Sequence, residues 1–414
     1  MNLINAFTSL SSDIRQYLLI TGNYWAFTLS DGALRMLVVL HFHKLGYTPL
    51  EIALLFLFYE FFGVVTNLVG GWLGARLGLN RTMHIGLGLQ IIALCMLLVP
   101  AHWLTVTWVM AAQALSGVAK DLNKMSAKSA IKLLVPDEAQ GKLYQWVALL
   151  TGSKNSLKGI GFFIGGALLV TLGFQYAIGA MAAALTVIWM LSIISLKKEM
   201  GKSKNKPKFT QIFSKSSAIN ILSAARCFLF GARDVWFVVA LPVYLSLEFQ
   251  WNHWQVGGFL ASWIIGYGII QTVAPYVTGK RSGKVPGNTS AFIWASMLAS
   301  IPALIAWSMI ELPNTEWPLI IGLMIFGAFF AVNSSLHSYL IVSLAGRDNV
   351  SLDVGFYYMA NAMGRLIGTV LSGWVFQHYG LISCLIISTL FISLAAILSL
   401  LLPPSKEQAK SSSY

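Results

Sequence analysis

The chain has 414 residues, 57% of them hydrophobic and 10% charged, with a mean hydropathy of +0.70. A soluble globular domain carries about 25% charged residues, so this composition excludes one and describes a polytopic membrane protein. The net charge of +13 does not mark a nucleic-acid binder, because the basic residues sit in short connections, in one linker and inside apolar stretches.

A membrane span takes about 20 apolar residues. The pattern predicts twelve, at 17–42, 50–74, 82–100, 104–127, 142–171, 174–196, 216–246, 254–279, 288–310, 317–344, 352–377 and 380–402. The segment from Met1 to Arg15 has no small-residue cleavage site, so no removed leader is expected. Connections are short, apart from a basic run from Lys197 to Lys215 that reads as a solvated linker near anionic headgroups. It divides the chain into an N-terminal six-helix bundle (1–196), a linker (197–215) and a C-terminal six-helix bundle with a short tail (216–414). With the N-terminus inside, nineteen Lys and Arg fall in inner segments and only Lys44 in an outer loop. That bias predicts both termini in the cytoplasm.

The spans carry charge where apolar residues would suffice. Lys120, Lys124 and Lys128 recur every fourth residue, as do Lys154 and Lys158, so each set shares a helix face. Eight cations lie within the spans: Arg35, Lys120, Lys124, Lys154, Lys158, Arg226, Arg233 and Arg365. Four acids accompany them: Asp31, Glu60, Asp121 and Asp234. Each unpaired charge at bilayer depth costs about 2.5–3.5 kcal/mol or more, so the surplus predicts a small substrate with several negative charges. Lys128 and Lys132 lie nearer the inner surface and are expected to face water.

Arg35, Lys120, Lys124, Lys154, Lys158, Arg233 and Arg365 are the expected substrate ligands, converging on a cavity between the halves. Arginine suits phosphate-like groups because its planar fork donates two parallel hydrogen bonds. Asp31, Glu60, Asp121, Asp234 and His337 are candidates for proton coupling or charge pairing. The bland alternative is that the cations only pair with these acids. Arg226 has a weaker case, being nearer a span end. The three cysteines form no CxxC pair, which argues against a thiolate site for metal or trivalent arsenic. No HExxH, nucleophile or Walker motif appears, so an enzyme and direct ATP drive are not expected, and neither is a cofactor.

The halves resemble each other. Gly63 to Arg76 aligns without gaps on Gly268 to Arg281, with glycine at 63/268 and 74/279 and arginine at 76/281. Lys158 to Gly166 aligns on Arg365 to Gly373, matching a cation and two glycines. Two such halves related by an axis along the membrane normal are the architecture of major facilitator transporters. The stretch Gly71-Trp-Leu-Gly-Ala-Arg-Leu-Gly78 resembles that superfamily's loop signature, with Ala75 where its acidic residue falls and Leu79 and Asn80 where its basic pair falls.

The expected fold is therefore all-α and polytopic, with twelve transmembrane helices in two pseudo-symmetric bundles. Asp31 to His43, Gly46 to Glu51, Phe58 to Gly63 and the Lys120 and Lys154 stretches resemble ArsJ-type organoarsenical efflux permeases. The resemblance implies export of 1-arseno-3-phosphoglycerate across a bacterial inner membrane. It further implies arsenate resistance together with glyceraldehyde-3-phosphate dehydrogenase, which makes that ester. A monomer is expected. An organophosphate/phosphate antiporter fits the charge pattern equally well. Arginine in both the first and seventh spans is similar to that class.

Overall fold

The computed structural model describes residues 10–46, 55–196, 200–203, 216–278 and 286–403, without the side chains of His43, Leu57, Glu60, Ala101, His253 and Trp254. Most of the 197–215 linker, residues 47–51, Gly279, Arg281 and the tail from 404 lie outside the described residues.

Every described element is helical: α1 Ser12–Lys44, α2 Leu57–Leu77, α3 Leu79–Met96, α4 Val106–Leu134, α5 Gln140–Leu172, α6 Phe174–Ser195, α7 Ser217–Phe237, α8 Ala240–Leu247, α9 His253–Thr278, α10 Asn288–Glu311, α11 Glu316–Leu344 and α12 Val350–Leu400, besides one 3-10 turn at Ala101–Trp103. If α7 and α8 are taken as one segment and α12 as two divided at Gly380, the described helices fall along the chain in the order of the expected spans. Among the described residues, seven helices are long and apolar enough to cross a membrane by length and composition alone. Helices α1 to α4 are outside that group. Of these, α1 carries Asp31 and Arg35, and α4 carries Lys120, Asp121, Lys124, Lys128 and Lys132. The residues that weaken the span signal are the ones that suggest a site.

Two glycines make the turns between consecutive spans. Gly173 separates α5 from α6 at φ 76, ψ 173, and Gly380 breaks α12 at φ 75, ψ −178. That region of backbone space is nearly glycine-only. The spacing from Gly173 to Gly380 equals that from Lys158 to Arg365, so the internal repeat continues into the backbone. Gly380→Ala meets no steric obstacle to its Cβ. It should still cost about 1–3 kcal/mol through backbone strain alone, read as a lower unfolding temperature.

The chain forms two compact units. The first comprises Met1–Ala139, Leu157–Phe213 and Ala345–Met359, and the second Gln140–Ser156, Ser214–Leu344 and Ala360–Tyr414. Helices α5 and α12 thus each contribute to both units. Within the first unit, Arg347 ties the start of α12 to the α4–α5 connection, with Nε 3.0 Å from Asp137 Oδ2 and Nη2 donating to the Val135 carbonyl at 2.9 Å. Lys132 lies 3.5 Å from the same carboxylate. Slight desolvation raises the Asp137 pKa, but the two cations outweigh it and hold it below the ordinary carboxylate range. The stabilising contact is therefore present above that range and is lost as pH falls through the folded-state pKa. Within the second unit, Asn155 Nδ2 donates to Gln271 Oε1 at 2.7 Å, and Gln140 Oε1 accepts from Tyr339 and Ser343 at 3.1 and 3.0 Å.

In lipid, helices pack through small residues rather than through a hydrophobic drive. A Cβ on Gly161 would meet the Leu29 carbonyl at 2.8 Å and Gly32 Cα at 3.1 Å, so α1 and α5 cross backbone to backbone. In the second unit a Cβ on Gly368 would meet the Gly231 carbonyl at 2.6 Å, which sets the equivalent α7–α12 crossing. Beyond that crossing the seventh span breaks. The amides of Val239 and Ala240 both donate to Ser372 Oγ, at 3.2 and 3.1 Å, so a neighbouring helix satisfies the freed backbone. Trp236, Trp263, Phe326 and Phe330 form an aromatic cluster in the core of this unit.

Candidate functional site

The two glycine crossings bring the repeated charges together in the same way. In the first unit, Gly32 and Gly161 let α5 approach α1, and Lys158 Nζ comes within 4.0 Å of Asp31 Oδ2. In the second, Gly231 and Gly368 play that part, and Arg365 Nε donates to Asp234 Oδ2 at 3.1 Å. Each unit therefore holds a buried aspartate on its first helix that takes a cation from its fifth.

Around this shared frame the two sites differ. Asp31, 5% exposed, also accepts from the Tyr59 hydroxyl, 2.7 and 2.9 Å from its two oxygens. The Tyr59 ring then carries two cations: Lys120 Nζ lies 3.8 Å and the Arg35 guanidinium 5.0 Å from its centroid. Arg35 is also 4.8 Å from the centre of Phe56. Such contacts contribute about 0.5–2 kcal/mol each, more where water is excluded. One turn along α4, Lys124 Nζ makes a close ion pair with Asp121. Lys124 and Lys128 lie 4.9 and 4.6 Å from the Tyr358 ring centre, and Lys128 donates to the Tyr358 hydroxyl. Tyrosine lets lysines lie close together in this unit. It offers a negative ring face without adding an acid, so the positive field toward an incoming anion is kept.

In the second unit one carboxylate holds two arginines. Asp234 is fully buried and accepts from Arg233 Nε at 2.6 Å through Oδ1 while Arg365 takes Oδ2. Neighbours on a helix point about 100° apart, and the long Arg233 side chain curls back to make the bond. Arg226 lies two turns before Arg233 on α7. Its guanidinium is 3.8 Å from the Phe230 ring centre, and that of Arg233 is 5.0 Å from the same ring.

The expected ligands thus fall in two groups: Arg35, Lys120, Lys124 and Lys158 with Asp31 and Asp121 in the first unit, and Arg233 and Arg365 with Asp234 in the second. Lys154 is a part-buried residue of the α5 segment belonging to the second unit. His337 is buried on α11, one turn from Ser334, whose carbonyl accepts from Arg226 Nη1 at 3.3 Å. Glu60 sits on α2 with its side chain outside the described residues.

One expectation fails. Lys128 and Lys132 do not face water: they are 3% and 5% exposed. Tyr358 and Asp137 cover them, and both partners lie far away in sequence or in a connection, out of reach of helical spacing. Sequence reasoning also gave no role to Tyr59, although it lies within the Phe58 to Gly63 block. It missed a second polar centre in the first unit, where Ser192 Oγ meets Asn23 Nδ2 at 2.7 Å and His84 Nε2 at 2.9 Å. Among the described residues, no group of three His, Cys, Asp or Glu side chains could hold a metal ion.

A repeated pair of helical units with cation-rich interiors defines a secondary transporter. The family model described as Major Facilitator Superfamily matches residues 20–299 and 237–413, and the chain belongs to that superfamily. It is a multi-pass membrane transporter, not an enzyme. Solved structures share the fold. The human organic anion transporter MFSD10 (TETRAN) is 14% identical with a TM-score of 0.74, covering 94% of this chain and 100% of its own. The proton:xylose symporter XylE is 12% identical at 0.76, covering 95% and 97%. A bacterial homologue of the iron transporter ferroportin is 15% identical at 0.75, covering 97% and 100%. No curated protein sequence matches the chain.

Proposed function

We propose that the chain exports a small organic anion with several negative charges, an arsenylated phosphoglycerate, and so confers arsenate resistance. The observation that carries this reading is the charge balance inside each unit. Arg35, Lys120, Lys124, Lys128 and Lys158 accompany Asp31, Glu60 and Asp121 in the first, and Lys154, Arg226, Arg233 and Arg365 accompany Asp234 in the second. A substrate bearing carboxylate, phosphate and arsenate groups offsets such a surplus. Choice of the arsenate ester over an ordinary organophosphate rests on the resemblance to ArsJ-type permeases. On this reading the protein is a monomer in a bacterial inner membrane with both termini cytoplasmic. It works beside glyceraldehyde-3-phosphate dehydrogenase, without a cofactor. Arginine forks grip the terminal oxyanions, and lysines act as point charges around the rest.

The test is uptake of the ester, formed in situ, into everted vesicles holding only this transporter. Uptake of the ester supports the reading. Exchange of phosphate against glycerol phosphate without ester uptake would make the protein an organophosphate antiporter instead. In the same vesicles, Lys124→Gln keeps length and polarity but removes charge. It should weaken binding of a multiply charged anion at least tenfold, and of a singly charged anion much less. Cells carrying the transporter and the dehydrogenase should resist arsenate and gain nothing against arsenite, because Cys95, Cys227 and Cys384 stand on three different helices. Arsenite resistance that vanishes when the three cysteines are replaced would contradict this.

A further inference from the structure

A buried polar chain runs through the second unit beside the arginine pair. Asn155 donates to Gln271, and Gln271 Nε2 donates to Ser334 Oγ at 3.0 Å. Arg226 Nη1 donates to the Ser334 carbonyl at 3.3 Å, and its Nε donates to Asn361 Oδ1 at 2.9 Å. Five helical segments are joined in this way. One turn beyond Ser334, on the same face of α11, lies His337. Its side chain is fully buried, and neither ring nitrogen has a hydrogen-bond partner among the described residues. The hydroxyls of Ser338 beside it and of Ser223, one turn before Arg226, are buried without partners as well. An unsatisfied buried polar group costs about 1–3 kcal/mol, and an imidazole in a membrane span is functional by default.

The nearest cation fixed by a contact on this face is Arg226, from α7, bonded to the Ser334 carbonyl one turn from His337. The other helices packed on α11 bring no acid there. Helix α9 contributes the phenol of Tyr267, and the N-terminal part of α5 contributes Tyr144, whose ring lies 4.8 Å from that of Tyr339 of α11 itself. Phenols stay neutral near pH 7. Helix α10, whose Trp294 carbonyl accepts from Asn333, has no titratable side chain near that level. Elsewhere in the described spans Asp31 is engaged by Tyr59 and Lys158, Asp121 by Lys124, and Asp234 by two arginines, while Asp353 at the start of α12 accepts from the Gly346 amide at 3.3 Å and belongs to the first unit. His84 is bonded to Ser192.

We propose that His337 is the proton site of this transporter, and that it takes up a proton when an anion arrives at the arginines of the second unit. A second positive charge beside Arg226 in a span is costly until a negative charge offsets it. Arg226 and Arg233 flank the same Phe230 ring, so an anion held by Arg233 and Arg365 acts on Arg226 as well. Proton and anion then favour each other's binding, reciprocally. The inference rests on the anion reading above and adds a proton that binds with the anion.

The experiment is calorimetric titration of the purified transporter with 3-phosphoglycerate, in buffers of different ionisation enthalpy, which counts protons taken up per anion bound. Protons exchanged by the ligand's own phosphate appear identically with every variant. Wild type should exceed the ligand's contribution by up to about one proton. His337→Gln should bind the anion but lose that excess. Arg226→Gln, which keeps the imidazole and removes the charge acting on it, should lose the excess too. Equal counts for wild type and His337→Gln would overturn the proposal, as would a wild-type count no larger than the ligand supplies. The wild-type count decides the matter even if a variant fails to fold. Absence of any 3-phosphoglycerate binding to wild type would overturn the anion reading and this inference with it.

Discussion

Asp234→Asn should abolish export and cost about 3–5 kcal/mol of stability, because it removes the carboxylate shared by two arginines in a span. Asp234 is fully buried, whereas the side chains of Arg233 and Arg365 are 15% and 35% exposed. The loss therefore falls mainly on the deeper Arg233 bond, and water screens part of the Arg365 contact. The informative partner is Asp234→Asn combined with Arg365→Gln, which returns the charge balance to that of wild type. A purely structural cluster predicts that the double variant recovers both its unfolding temperature and its export. A substrate site predicts recovery of the unfolding temperature alone, since Arg365 is then missing as a ligand. Measuring both quantities on the same preparations separates the two. Full export by the double variant would remove Arg365 from the site.

Gly364→Ala should be almost as damaging without changing any charge. A Cβ there would stand 2.0 Å from the Cys227 carbonyl oxygen and 2.7 Å from its carbonyl carbon. The obstacle is backbone, so no rotamer can relieve it, and α7 and α12 must separate. Overpacking costs about 1–3 kcal/mol and more where nothing yields. Separation also withdraws Arg365 from Asp234 and Asn361 from Arg226. The expected result is a lower unfolding temperature together with loss of anion binding. Gly373→Ala, on the same helix with nothing within 4 Å, is the control and should behave as wild type. Normal binding by Gly364→Ala would show that the crossing does not position the cluster.

Several of these features are visible in the sequence for definite reasons. Hydropathy marked the helical segments because a membrane span needs a long apolar run whatever it packs against. The match of Lys158 to Arg365 is legible because both stand at fixed distances from glycines that a backbone crossing demands. The charged residues stood out because a bilayer interior makes each of them expensive. Partners were much less legible. Lys128 read as solvent-facing because its helical neighbours say nothing of Tyr358, over two hundred residues away, which covers it. Tyr59 read as one aromatic among many, yet its hydroxyl holds Asp31 and its ring carries Lys120.

The sequence by itself determined the membrane class, the repeat and the excess of positive charge, because composition and periodicity act along the chain. Only the tertiary structure decided which acid meets which cation. Asp31 takes Lys158 from α5, and Asp234 takes Arg365 from α12 as well as its neighbour Arg233. It also decided that Arg226, discounted as a span-end residue, is 3% exposed and hydrogen-bonded to Ser334 and Asn361. Helical spacing reaches one or two turns, whereas these contacts join helices more than a hundred residues apart. Which helices approach closely enough is set by glycine crossings such as Gly32 on Gly161, where two backbones touch because neither residue has a side chain.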